Sequence, residues 1–103
     1  MSSTGQAYTS GNWTVREGSE DDFVERWKAF VGWAADNVAG AGSFLLIRDS
    51  RDPRRFVSLG AWADAGSVND WRSRPEFAGY MGRCRELCDD FQAGDFTLTA
   101  SVP

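Results

Sequence analysis

Apolar positions change their period repeatedly along this chain, and each change marks an element. Residues 1–11 are rich in Ser, Thr and Gly and read as a loose tail. Trp13 and Val15 alternate with Thr14 and Arg16, which predicts a short first strand, and Glu17-Gly18 turns the chain after it. Ser19 stands where a helix N-cap belongs, followed by Glu20, Asp21 and Asp22 at the positive end of the helix dipole. Phe23, Trp27, Phe30, Val31, Ala34 and Val38 then recur at helical spacing until Gly40 and Gly42, with Trp33 on the flank of the stripe. Phe44-Leu45-Leu46-Ile47 is a continuous apolar run, expected to be a strand covered on both faces. A polar turn, Asp49 to Arg54, links it to a second run, Phe56 to Trp62, close enough in sequence to pair antiparallel. Asp64 to Arg74 reads as a short helix carrying Val68 and Trp71. Residues 75–91 read as a last helix with Phe77, Tyr80, Met81, Cys84, Leu87, Cys88 and Phe91 on one face, broken by Gly94. Phe96, Leu98, Ala100 and Val102 alternate with polar residues and predict the final strand.

The predicted order is β-α-β-β-α-α-β, the α+β, ferredoxin-like split βαβ arrangement, in which a four-stranded antiparallel sheet carries its helices on one face. Residues 1–11 form the tail and 12–103 the domain. Because the middle strands are apolar on both faces, a lone chain would expose a greasy surface, and a second subunit is the simplest cover. A homodimer is therefore expected.

Composition narrows the chemistry. With 103 residues the chain suits one domain. It contains no histidine, which excludes a Ser-His-Asp triad, an imidazole base and His-ligated zinc or haem. Its net charge of −4 argues against a nucleic-acid partner. No apolar run is long enough to span a bilayer and residues 1–12 lack a signal pattern, so a cytoplasmic protein is expected. Cys84 and Cys88, four apart, match neither a zinc pair nor a C-x-x-C redox motif and fit the apolar stripe as small hydrophobes. The glycines form no phosphate-binding loop. Five Trp and seven Phe promise a core or pocket lined with flat rings.

Arg48-Asp49, Asp52-Pro53, Arg55-Phe56, Gly60, Trp62, Trp71 and Pro75-Glu76-Phe77 give the stretch from Gly42 to Phe91 a resemblance to the antibiotic biosynthesis monooxygenase family, which helix one and the last strand extend over about residues 12–103. The resemblance implies a dimeric α+β barrel with a pocket between each sheet and its helices. In members that act on aromatic polyketides, an anthrone-like tricycle is oxidised to a quinone by O₂ without metal or flavin. Another branch degrades haem, using a Trp in the short helix, a ligating His ten residues later and an Asn in the first strand. Trp71 matches that Trp, but Met81 stands at the His position and Asn12 only lies near the Asn, so the usual haem ligation is excluded.

These considerations select candidate residues. Trp71 is expected to wall the pocket at the catalytic centre, or else to be plain core. Tyr80 could exchange a proton with a phenolate substrate, its alternative being a core ring with its hydroxyl at the rim. Trp33, Trp62, Phe77 and Met81 would complete an aromatic substrate slot, and Asn69 would donate to a substrate anion unless it caps a helix. Arg72 and Arg74 fit a salt-bridged role better than substrate contact. The function expected is a cofactor-independent monooxygenase acting on a small aromatic substrate. The alternatives are a non-catalytic binder or auxiliary, cyclase-like protein of a biosynthetic pathway, and a structural dimer without a cavity. Convergence of the rings on one void would disfavour the last.

Overall fold

The strand and helix order matches the sequence pattern, but the first and last strands lie further toward the N-terminus than the pattern places them. The computed structural model describes residues 5–103. It contains β1 (Ala7–Val15), α1 (Glu20–Asn37), β2 (Ala41–Arg48), β3 (Arg55–Trp62), α2 (Ala65–Ser73), α3 (Pro75–Arg85) and β4 (Cys88–Thr97). The four strands form one antiparallel sheet in the order β2-β3-β1-β4, with the helices on one face: a ferredoxin-like α+β fold. No helix among the described residues is long and apolar enough to cross a membrane.

Strand β1 begins within the expected tail, of which residues 1–4 lie outside the described residues. Tyr8-Thr9-Ser10-Gly11 lacks hydrophobic alternation, yet it pairs on both sides, with Ser58 to Ala61 on β3 and with Ala93 to Phe96 on β4. Ladder bonds on two flanks outweigh the turn preference of Ser and Gly. At the other end, the helix expected over 75–91 stops at Arg85. Leu87 lies in the turn that follows, and Cys88 and Phe91 keep their apolar surroundings in an extended chain, where Val15 pairs with Cys88 and Trp13 with Phe91. Gly94 therefore lies inside a strand, and Leu98, Ala100 and Val102 follow it.

Two local expectations also change. Ser19 makes no side-chain cap bond; the Glu20 carboxylate instead accepts from the Gly18 N–H at 2.8 Å. Asp64 is the side chain that caps a helix, accepting from the Ser67 N–H at 2.8 Å. Strand β2 is covered on one face only, since Leu45 and Ile47 are 60% and 55% exposed. Leu59 and Phe96 are exposed on that same outer face.

On the inner face the register sorts side chains into rows across the sheet. Arg48, Phe56, Trp13 and Phe91 form one row, and Trp62, Ala7 and Thr97 form another at the opposite end. Between them lie Leu46, Ser58, Gly11 and Ala93, then Phe44, Gly60, Thr9 and Asp95. The outer rows are packed: Trp13 meets Phe91 at 4.1 Å and Phe23 at 5.1 Å between ring centroids, and Trp62 meets Trp71 at 4.7 Å. The central rows of β1 and β3 carry only Gly, Ser and Thr, too small to fill the space beneath the helices.

Candidate active site

That missing volume is a cavity of about 540 Å³, a size that suits a drug-sized ligand. Thr9, Gly11, Ser58, Gly60 and Ala93 form its floor. Trp27 and Phe30 of α1, Trp71 of α2, and Phe77 and Met81 of α3 form its walls. The helical stripe predicted from sequence thus does double duty: Phe23 and Ala34 fill core, while Trp27 and Phe30 also face the void.

The polar groups are few and mostly committed. Trp13 Nε1 donates to Ser58 Oγ at 3.0 Å, and Trp62 Nε1 donates to Thr9 Oγ1 at 3.0 Å. The Asp95 carboxylate accepts hydrogen bonds from Nη1 and Nη2 of Arg72, at 2.8 and 2.6 Å. These bonds hold the Asp95 carboxyl below the usual carboxylate range and push the Arg72 guanidinium up. Arg85 stands at the rim with its guanidinium 5.5 Å from the Phe91 ring centroid. Trp71 is 7% exposed and its Nε1 is the one buried side-chain polar atom among the described residues without a hydrogen-bond partner. Leaving a buried donor unpaired costs roughly 1–3 kcal/mol, which an acceptor on a ligand would recover.

Of the seven residues singled out from sequence, Trp71, Phe77 and Met81 meet at this cavity. Trp62 lies behind the wall, fully buried, packed at a tilt against Trp71 and bonded to Thr9. Tyr80 and Trp33 stack on each other at 5.2 Å away from the void, because helical spacing places them on the flank shared by α1 and α3. Arg83 covers the Tyr80 ring at 5.2 Å. Asn69 is exposed and borders a separate hollow of about 190 Å³ on the other side of α2. Asn12 is exposed, while its neighbours Gly11 and Trp13 line the cavity. Sequence reasoning missed Thr9, Gly11 and Ser58, whose only signal is that small residues recur at alternate positions opposite one another.

The cysteines take no part. Burial pushes the Cys84 thiol up to about 12 and the Cys88 thiol up to about 11, so both are protonated at neutral pH. The described residues hold no group of His, Cys, Asp and Glu spaced to bind a metal ion.

Residues 8–83 match the antibiotic biosynthesis monooxygenase family. The chain belongs to that family. Its fold is shared with SnoaB from Streptomyces nogalater, described as a cofactor-independent oxygenase: TM-score 0.89, 19% identity, covering 96% of this chain and 98% of that one. A putative antibiotic biosynthesis monooxygenase from Nitrosomonas europaea superposes with a TM-score of 0.80 at 12% identity, covering 94% and 93%. No curated protein matches the chain.

Proposed function

We propose that this family member is a cofactor-independent monooxygenase that oxidises an aromatic, anthrone-type substrate with O₂. The observation that carries the reading is an aromatic-walled cavity lined by Trp71, whose indole N–H is buried with no protein acceptor. Family membership and the fold shared with SnoaB support it.

The chemistry asks the protein to orient and stabilise. An anthrone methylene lies between two aryl rings and opposite a carbonyl, so losing one proton gives a delocalised anion. That anion passes one electron to O₂; the radical and superoxide combine to form a C–O bond. Protonation of the peroxide and loss of water with the remaining methylene hydrogen leave the quinone carbonyl. One oxygen atom enters the product and the other leaves as water. Phe30, Trp71 and Phe77 would hold the flat rings, the Trp71 N–H would donate to the carbonyl oxygen on which charge gathers, and the apolar walls would exclude water. Asp95, the one carboxylate bordering the cavity among the described residues, is held by Arg72, so the substrate would lose its first proton to water at the cavity mouth before the walls enclose it.

That lack of a free base also favours a second reading, a non-catalytic binder of the same class of molecule. Oxygen consumption and quinone absorbance with a hydroxylated anthrone separate the two. The oxygenase reading expects enzyme-dependent, chelator-insensitive quinone formation that falls at least about tenfold in Trp71→Phe, which loses one donor. No acceleration over spontaneous oxidation, together with saturable quenching of tryptophan fluorescence, would establish the binder instead.

We also propose that a second copy of the chain covers the outer sheet face. Leu45 pairs with Leu59 and Ile47 with Val57 there, and none of these positions is charged although each chain carries a net −4. An uncharged apolar patch is where two like-charged copies can meet without repulsion. Sedimentation should show a dimer that Leu45→Lys with Ile47→Lys converts to a folded monomer. A wild-type monomer at micromolar concentration would sink the idea.

A further inference from the structure

The cavity floor contains one arrangement twice. Ser58 lies opposite Gly11 across the strand pair, and Thr9 lies opposite Gly60. Each hydroxyl oxygen accepts an indole N–H that reaches inward from a packed outer row, Trp13 to Ser58 and Trp62 to Thr9, both at 3.0 Å. Each glycine makes room for its hydroxyl. A Cβ on Gly11 would stand 2.7 Å from Ser58 Oγ and 2.6 Å from Trp13 Nε1, and one on Gly60 would stand 3.0 Å from Thr9 Oγ1.

A hydroxyl has one hydrogen to give and lone pairs to receive. Here the indole fills one lone pair, and among the described residues no acceptor takes the hydrogen of either hydroxyl. Both residues line the cavity, as does Trp71 with its unpartnered N–H. The charged groups bordering it are Arg72 and Asp95, paired with each other, and Arg85 at the rim. Each floor hydroxyl therefore keeps its hydrogen to give to a ligand, and the only carboxylate at the cavity among the described residues is held by Arg72.

We propose that Thr9 and Ser58 are ligand-binding, specificity-determining residues: their hydroxyls donate to oxygen atoms of a flat hydroxylated aromatic and favour its phenolate over its phenol. Trp13 and Trp62 are positioning residues that hold the hydroxyls in this orientation. The proposal rests on the aromatic-substrate reading above and adds which edge of the ligand faces the sheet and in which protonation state it is held. Donors that bond an anion lower the pKa of the group that carries it.

Alizarin, a dihydroxylated anthraquinone that changes colour on ionisation, tests this by absorbance titration across pH. Bound to wild-type protein it should ionise about one pH unit below the free dye, about a tenfold preference for the anion. Ser58→Ala and Thr9→Val should each cut that preference about threefold, and Thr9→Ser, which keeps the hydroxyl, should retain it. Arg72, Asp95 and Arg85 are common to all these proteins, so their contribution cancels. Gly11→Ala keeps every hydroxyl but displaces Ser58 Oγ, and should act like Ser58→Ala if that variant does not fold. Bound and free dye ionising alike, or an anion preference unchanged in the folded variants, overturns the proposal and leaves the aromatic-ligand reading standing. No saturable binding of the dye to wild type overturns both.

Discussion

The inner face of the sheet is built in two ways. At its ends Phe56, Trp13, Phe91 and Trp62 are large, and rings from the helices close over them. In its middle Gly11, Ser58, Gly60 and Thr9 are small, and the same helices pass over a void. The backbone is one continuous antiparallel sheet throughout. What differs is side-chain volume alone, so stability and site have been separated by row. The packed rows carry the core and also aim two indole N–H groups at the hollow ones, so the hollow rows depend on the packed rows for their geometry.

Two substitutions on β3, two residues apart, sharpen this contrast. Phe56 is 2% exposed and lies 5.1 Å from the Phe23 ring. Phe56→Ala should lower unfolding stability by about 3–5 kcal/mol in a denaturant titration, the range for emptying a packed aromatic site. Ser58→Ala removes no apolar volume but leaves the buried Trp13 indole without its acceptor, so about 1–3 kcal/mol is expected. Equal losses at the two positions would mean that the central rows carry the core as well, and that the void collapses in solution.

This division explains what could be read from the sequence. Large residues announce themselves by period: the α1 stripe and the strands β2 and β3 follow from the apolar pattern, and the Trp71 position from the family resemblance. The hollow was not legible because its signal is absence. Thr9 and Gly11 look like tail residues, and Ser58 like any polar position in a strand, until the register sets Gly11 against Ser58 and Thr9 against Gly60. The 75–91 segment failed for a related reason. Leu87, Cys88 and Phe91 satisfy a helical stripe, but the chain turns at Leu87, and pairing with β1, which is remote in sequence, makes Cys88 and Phe91 part of a strand. Tyr80 and Trp33 show the limit of helical spacing: it places a ring on a face but does not distinguish the side of α1 toward the cavity from the side that packs on α3.

The smallest effect concerns the join between wall and floor. Arg72 on α2 holds Asp95 on β4 through two hydrogen bonds, tying the helix that carries Trp71 to the strand beside Thr9. Asp95 is 64% exposed as a side chain, so solvent screens the pair and about 0–1 kcal/mol is expected from it. Its carboxyl is held below the ordinary value by Arg72. A carboxyl depressed on folding adds stability that is fully present above its unfolded pKa of about 3.9 and is lost as pH falls through its folded pKa. Asp95→Asn should therefore lower the Tm slightly at pH 7, and the gap from wild type should close as the pH drops below about 4. A gap that persists in acid would show that Asp95 acts by shape rather than charge. The same variant should loosen the α2 wall more than it destabilises the fold, because the packed rows that set global stability lie on either side of the row containing Asp95.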